Sequence, residues 1–311
     1  MDRRAVGGSG LRVSTIGLGT ADWGTVIDGD IAAAQLASFV DAGGTLVDTA
    51  AHYGQGRAQR TLAELIDDVV PRDRLVISAS AGWRPAPAAA ADNSRAALLS
   101  GLDATLAELG TDHVDLWSVA GPDPTIEDEE VASALEIAVR SGRARYVGIR
   151  DHAGWQLATA VGHAESIAGR PVAAQTRYSL LDRRAEAELL PAADHHRVGV
   201  LAVSPLAAGV LTGKYRKGIP ADSRGADPTA GLSVQPYLTR FGSNVVEAVA
   251  TAADGLGTSP LAVALAWVRD RPGVSSVIVG PRDIGQLTGI LAADDVSLPA
   301  AITAALDDVS R

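Results

Sequence analysis

The sequence predicts an α/β fold, a single (β/α)₈ TIM barrel preceded by an N-terminal β-hairpin. Three observations carry this. Eight short runs rich in Val, Ile, Leu and Ala recur along the chain, and most are apolar throughout rather than alternating. Strands covered on both faces of a parallel sheet have that pattern. Amphipathic helical stretches with recognisable ends separate the runs. No linker interrupts the 311 residues, so 1–311 reads as one domain of ordinary barrel size. A doubly wound open sheet is the alternative, and the absence of a GxGxxG after the first strand speaks against it.

Taken in order, Arg3 to Val6 and Leu11 to Val13 flank Gly7-Gly8-Ser9-Gly10 and read as a hairpin at the barrel floor. The first barrel strand is expected over Ser14 to Leu18. Asp30 is the expected cap of a helix carrying Ala33, Leu36, Phe39 and Val40, which Gly43-Gly44 stops. Strands follow at Thr45 to Asp48 and Leu75 to Ala79. Asp92 or Asn93 then caps a helix with Leu98, Leu99, Leu102, Leu106 and Leu109 on one stripe, ended by Gly110. The remaining strands are His113 to Val119, Ala144 to Ile149, Pro171 to Gln175, Val198 to Val203 and Ser275 to Val279. Gly213 to Arg240 breaks the repeat, and so long a weakly periodic stretch inside a compact domain reads as a functional lid.

Composition narrows the function. A net charge of −10 argues against nucleic acid or an anionic membrane as partner. With no cysteine, disulfides, thiolate zinc sites and cysteine nucleophiles are excluded. Met1 to Gly10 lacks the apolar stretch of a secretory signal. Val198 to Leu211, the longest apolar stretch, is too short to span a bilayer, so a cytoplasmic location is expected. His113, His152 and His163 have no metal-ligand spacing, and His195 and His196 read as surface groups at a helix end, so no metal is expected. Asp67-Asp68 and the run from Glu127 to Glu130 read as solvated helix starts.

In such a barrel the active site gathers at the C-terminal strand ends. Those ends carry Asp48, Ser80, Ala120, Arg150 with Asp151, Gln175, Ser204 and Gly280. Asp48 lies five residues before Tyr53, a carboxylate and a phenol at the barrel mouth. Several longer stretches are specific: AGGTLVDTAAHYGQG, GRARYVGI, AAQTRYSLLDR followed by VLAVSPLAAGVLTGKY, then LAVALAWV and GVSSVIVGPRDIGQL. In that order they resemble the aldo-keto reductase superfamily over essentially the whole chain.

The resemblance implies NADP(H) bound without a Rossmann domain and hydride transfer to a small organic carbonyl or imine-like substrate. It makes Tyr53 the proton donor and Asp48 its partner. The family's lysine belongs after the third strand and its histidine after the fourth; here those positions are Ser80 and Ala120. No slip of alignment restores the lysine, because the only lysines are Lys214 and Lys217. Arg150-Asp151 stands where Ser-Asn usually holds the nicotinamide carboxamide, so Asp151 is an expected cofactor residue, and Val203 stands where an aromatic stacks on the nicotinamide. By contrast Gln175, Ser204, Leu206, Gly209, Leu211, Gly213, Lys214, Gly280, Arg282 and Gln286 keep the cofactor pattern, with Ile290 in place of an Asn often found against the adenine. Arg282 suits a 2′-phosphate, which a guanidinium binds bidentately.

Arg150 is therefore expected either to supply positive potential near Tyr53 or only to pair with Asp151 or Asp48. Trp23, Trp83, Ser80, Ala120 and the Gly213 to Arg240 loop are the expected substrate pocket. His52 is expected to face solvent, because Tyr53 beside it points inward. Two other readings stay open: a catalytically silent NADP(H)-binding protein, and a redox-neutral lyase or isomerase using Tyr53 as acid and base.

Overall fold

A computed structural model describes residues 1–84, 90–164 and 166–311, with the backbone alone for 83, 84 and 90. The expected pocket residue Trp83 thus has its side chain outside the described residues.

The hairpin forms as β1 (Arg3–Ala5) and β2 (Arg12–Ser14), antiparallel with Arg4 opposite Val13. Gly7, at φ +56, makes the turn. Next come β3 (Ile16–Gly19), α1 (Gly29–Asp41), β4 (Leu46–Ala50), α2 (Arg57–Leu65) and β5 (Val76–Ala81). A small antiparallel pair, β6 (Trp83–Arg84) and β7 (Ala90–Ala91), precedes α3 (Arg95–Leu109). The chain continues through β8 (Val114–Ala120), α4 (Asp128–Arg140), β9 (Ala144–Arg150), α5 (Gly154–Gly162), β10 (Ala173–Arg177), α6 (Leu189–His196) and β11 (Gly199–Val203). Two helices, α7 (Arg240–Leu256) and α8 (Pro260–Arg269), separate β11 from β12 (Val274–Val279), and α9 (Ile284–Ala292) and α10 (Ala300–Val309) follow.

Eight parallel strands close in the order β3-β4-β5-β8-β9-β10-β11-β12, with β12 returning to β3. Each of the eight expected apolar runs contributes one. The caps differ from the expectation. Asp28 rather than Asp30 accepts the Ile31 N–H at 2.9 Å, and Ser94 rather than Asp92 or Asn93 accepts from Ala97. Asn93 turns inward instead, its side-chain amide bonded to the Gly121 carbonyl.

Val6, Leu11 and Val13 of the hairpin pack onto Leu46, Leu116, Ala173 and Leu201, so apolar side chains fill the barrel from below. Two further clusters lie between strands and helices, around Phe39, Leu62 and Trp117 on one side and Val200, Val249 and Trp267 on the other. The long segment after Gly213 is not structureless. Short 3₁₀ turns at Arg224–Ala226, Ala230–Ser233 and Gln235–Tyr237 organise it, and fully buried Val234 anchors it. Arg224 donates to Asp22 at 3.0 Å, tying the segment to the loop after β3. Among the described residues no single helix is long and apolar enough to cross a membrane.

Candidate active site

The mouth of the barrel is built around one buried carboxylate. Asp48, on β4, sits in register beside Gly19 of β3 and Ser78 of β5, only 2% exposed. The Ser78 hydroxyl donates to Oδ1 at 3.0 Å, and the Gln175 amide donates to Oδ2 at 3.2 Å. The Tyr53 hydroxyl stands 3.4 Å from Oδ2, a long and weak contact. Burial pushes the Asp48 pKa up, opposed by Arg150 and by the Ser78, Gln175 and Tyr53 hydrogen bonds.

Tyr53 opens a 3₁₀ turn, Tyr53–Gly56, that follows β4 and passes through left-handed residues Gly54, Gln55 and Gly56. That reversal turns the phenol back over the strand ends. An Arg150 N–H donates to its oxygen at 2.8 Å from Nη1, and the same nitrogen lies 3.5 Å from Ser80 Oγ. Through its Nε, Arg150 also pairs with Asp151 at 3.4 Å. The two expectations for Arg150 are thus not exclusive: it reaches Tyr53 and it meets an acid. Desolvation raises the Tyr53 pKa, Asp48 raises it further, and the Arg150 charge only partly offsets them. Desolvation works against the Arg150 charge, yet Tyr53, Asp48 and Asp151 outweigh it and push its pKa up. At neutral pH the centre therefore holds a protonated phenol against a fixed cation.

On the other side of the mouth lie the expected cofactor residues. Gln175 is buried, and its Oε1 has no hydrogen-bond partner among the described residues. Asp151 is left-handed at φ +57, and its N–H donates to the Gln175 carbonyl. From Ser204 the chain runs through further left-handed residues, Ala207, Ala208 and Gly209. Three of those four are not glycine; such costly backbone persists where surrounding structure enforces it and concentrates at ligand clamps. The Leu206 carbonyl accepts from Gly209 and Leu211. A Cβ at Gly209 would lie 3.0 Å from Lys214 Nζ, so the missing side chain lets the ammonium fold back over the turn. Gly280, exposed after β12, begins the last loop. There the Arg282 N–H donates to Gln286 Oε1 at 3.0 Å, and Arg282 Nε is 3.6 Å from Asp22.

Three expectations are corrected. Trp23 is fully buried, its indole N–H donating to Gln35 at 3.0 Å, so it belongs to the core under α1 and not to an open pocket wall. Ser80 and Ala120 are 2% and 5% exposed; Arg150 is in register with Ala120, and its Nη1 lies 3.5 Å from Ser80 Oγ. His52 is half-buried rather than solvent-facing; its ring packs edge-on against Tyr53 with centroids 4.8 Å apart. Burial and then the Arg150 charge push its pKa down to about 4.

Sequence reasoning missed Ser78 and Asp22. Ser78 was legible as a hydroxyl two residues before Ser80, on the same face of a strand. Asp22, shared by Arg224 and Arg282, has no local pattern that foretells its role.

Comparison with known proteins places the chain in a family. The sequence pattern of the aldo/keto reductase family matches residues 15–311. The chain belongs to that family. An oxidoreductase of Bacillus subtilis, itself uncharacterized, is 33% identical over 99% of this chain and 96% of its own. L-Glyceraldehyde 3-phosphate reductase of Escherichia coli K12 is 34% identical over 92% of this chain and 86% of its own. A probable voltage-gated potassium channel subunit beta of Arabidopsis thaliana is 32% identical, covering 100% of this chain and 96% of its own. Membership makes the protein an aldo/keto reductase-type oxidoreductase acting on small molecules, in a family that generally uses nicotinamide cofactors.

Proposed function

We propose that this chain is an NADP(H)-dependent reductase of a small organic carbonyl or imine-like substrate, working with Arg150 in place of the family's lysine. The observation that carries the reading is the 2.8 Å hydrogen bond from Arg150 to the Tyr53 hydroxyl, with Asp48 3.4 Å beyond. The residues present fit a nicotinamide dinucleotide. The orphaned, buried Oε1 of Gln175 is an acceptor waiting for a carboxamide N–H, and Lys214 and Arg282 are cations suited to phosphate oxygens. When bound, the cofactor supplies the hydride.

The chain's own part is the proton. Tyr53, held protonated by burial and Asp48, donates from Oη to the substrate oxygen or nitrogen. The tyrosinate left behind is stabilised by the guanidinium, which stays charged throughout. A unit charge ~4 Å away at an effective dielectric of ~20 is worth about 4 kcal/mol, roughly a thousandfold in rate. Burial keeps the phenol protonated at neutral pH, the form that can donate. Asp48, held by Ser78 and Gln175, orients the phenol.

The test is NADPH oxidation over a panel of aldehydes, ketones and imines, with Tyr53→Phe as control. Turnover that survives Tyr53→Phe would refute the proton-donor role. One observation favours a silent NADP(H) binder as second reading: Arg150 covers Ser80, so a substrate must share or displace the guanidinium. NADPH binding with no turnover on any of the panel selects that reading.

A further inference from the structure

At the opposite end of the barrel from Tyr53 lies a cavity of about 520 Å³, walled by the hairpin turn and by the N-terminal ends of three strands. Arg145 and Tyr146 begin β9, Pro171 and Val172 lead into β10, and Arg197 leads into β11. Its size is that of a small-molecule site. Its chemistry divides in two. Tyr146, Val147, Pro171, Val172, Ile167 and Ala168 give an apolar wall, while Arg145, Arg170 and Arg197 give a cationic rim beside His196.

The rim runs against the rest of the molecule. The chain carries a net charge of −10, yet no carboxylate is among the described residues lining this cavity. Elsewhere many arginines are paired, as Arg183 with Glu186, Arg216 with Glu247 and Arg269 with Asp270, although among the described residues Arg57, Arg74, Arg240 and others are not. None of the three rim guanidiniums lies within ion-pair distance of a carboxylate among the described residues. Arg170 spends one nitrogen on the His196 carbonyl at 2.9 Å. Asp112, exposed, feels Arg145 only at longer range. The His196 pKa is pushed down, first by desolvation and then by His195 and Arg170, so its ring is neutral at neutral pH.

The backbone keeps the space open. A Cβ at Gly10 would come within 3.2 Å of the Tyr146 hydroxyl, and one at Gly8 within 3.3 Å of the Arg197 side chain. The hairpin turn is therefore glycine where a side chain would close the cavity.

We propose that this floor cavity is a second binding site, for a small organic anion whose phosphate or carboxylate head meets Arg145, Arg170 and Arg197 and whose apolar body lies against Tyr146 and Val172. It is separate from the mouth. Arg145 and Arg150 are five residues apart on one strand, about 17 Å. It does not depend on the reductase reading.

The experiment titrates the full-length protein, without cofactor, with phenyl phosphate and with benzoate by calorimetry. Inorganic phosphate and phenol serve as head-only and body-only arms. Saturable binding of one or both aromatic anions, tighter than either arm, is expected, and whichever is tighter identifies the head group. Arg145→Gln with Arg197→Gln should weaken it at least about tenfold, the loss of charge-assisted contacts. Arg150→Gln with Arg282→Gln, at the mouth, should leave it within about twofold. Arg145→Gln alone, at an exposed position, gives a second reading if the double variant folds poorly. No saturable binding by about 10 mM, or binding lost only in the mouth variant, overturns the proposal.

Discussion

The two halves of the barrel mouth are built on opposite principles. The reacting half, around Asp48, Tyr53 and Arg150, is buried and its polar groups bond to one another. The half running from Ser204 to Lys214 and from Gly280 to Gln286 mixes buried and exposed residues, is left-handed at Ser204, Ala207, Ala208, Gly209 and Gly213, and has a lysine folded back on its own turn. One half is a closed network that holds a proton; the other is a strained turn with Lys214 exposed, and a loop with Arg282 half-buried. On the proposed reading, this chain has changed its reacting groups while keeping its cofactor residues. Gln175 stands between the two halves, since it touches Asp48 with one end and leaves the other unpartnered.

Substitutions should separate the halves, and the largest effect is expected at the phenol. Tyr53→Phe should lower kcat by about 10²–10⁴ while leaving the NADPH Kd within a few fold, measured by fluorescence titration. A large loss of affinity would mean that the halves are coupled. Arg150→Ala comes next, with a loss of about 10²–10³ in kcat/KM if the charge serves the tyrosinate. It should also cost about 1–3 kcal/mol in denaturant unfolding, because the phenol loses a buried donor and Asp48 a nearby positive charge. Arg150→Lys should recover part of the rate. Full turnover in Arg150→Ala would return Arg150 to a mere ion-pair partner.

In the other half, Arg282→Ala should weaken NADPH by about ten- to a hundredfold and NADH far less, because only NADPH carries the 2′-phosphate. Equal losses for both would show that Arg282 does not read that group. The smallest effect concerns His52. Its folded pKa near 4 lies below the ordinary 6.5, so the unfolded chain binds more protons between those values. Its contribution is present above pH 6.5 and is lost as pH falls through about 4. After allowance for partial exposure this is about 1–2 kcal/mol. Asp48 acts in the other sense, since its raised pKa makes stability fall as pH rises. Melting curves of His52→Asn should accordingly be flatter between pH 6.5 and 4 than those of the parent.

Much of the fold was legible because a parallel barrel writes itself locally: each strand is an apolar run, and each helix carries its own stripe and stop. Boundaries and caps shifted by a residue or two, as at Asp28 and Ser94, since several polar residues near a helix start compete for the same amide. The site was legible only where one strand end sufficed. Asp48 and Arg150 could be placed at the mouth, but whether a guanidinium reaches a phenol 97 residues away depends on how the loop after β4 curls back. Trp23 was misread for the same reason. A tryptophan in the loop after a strand looks like a pocket wall until Gln35, twelve residues on, is seen to claim its N–H.

The hairpin under the barrel has a consequence for how the chain is made. Arg4 donates to the carbonyls of Arg269 and Val274, the Gly8 N–H donates to Arg197, and Ser275 donates to Ala5. Arg4 and Ala5 thus find their partners some 265 to 270 residues further along the chain. β3 likewise waits for β12 before the sheet can close. Contacts of such sequence separation cost loop-closure entropy before they return anything, and they make folding slow. Until the C-terminal strand emerges, Val6, Leu11 and Val13 have an incomplete floor to fill, and the nascent chain carries an apolar hairpin that needs shelter from its neighbours.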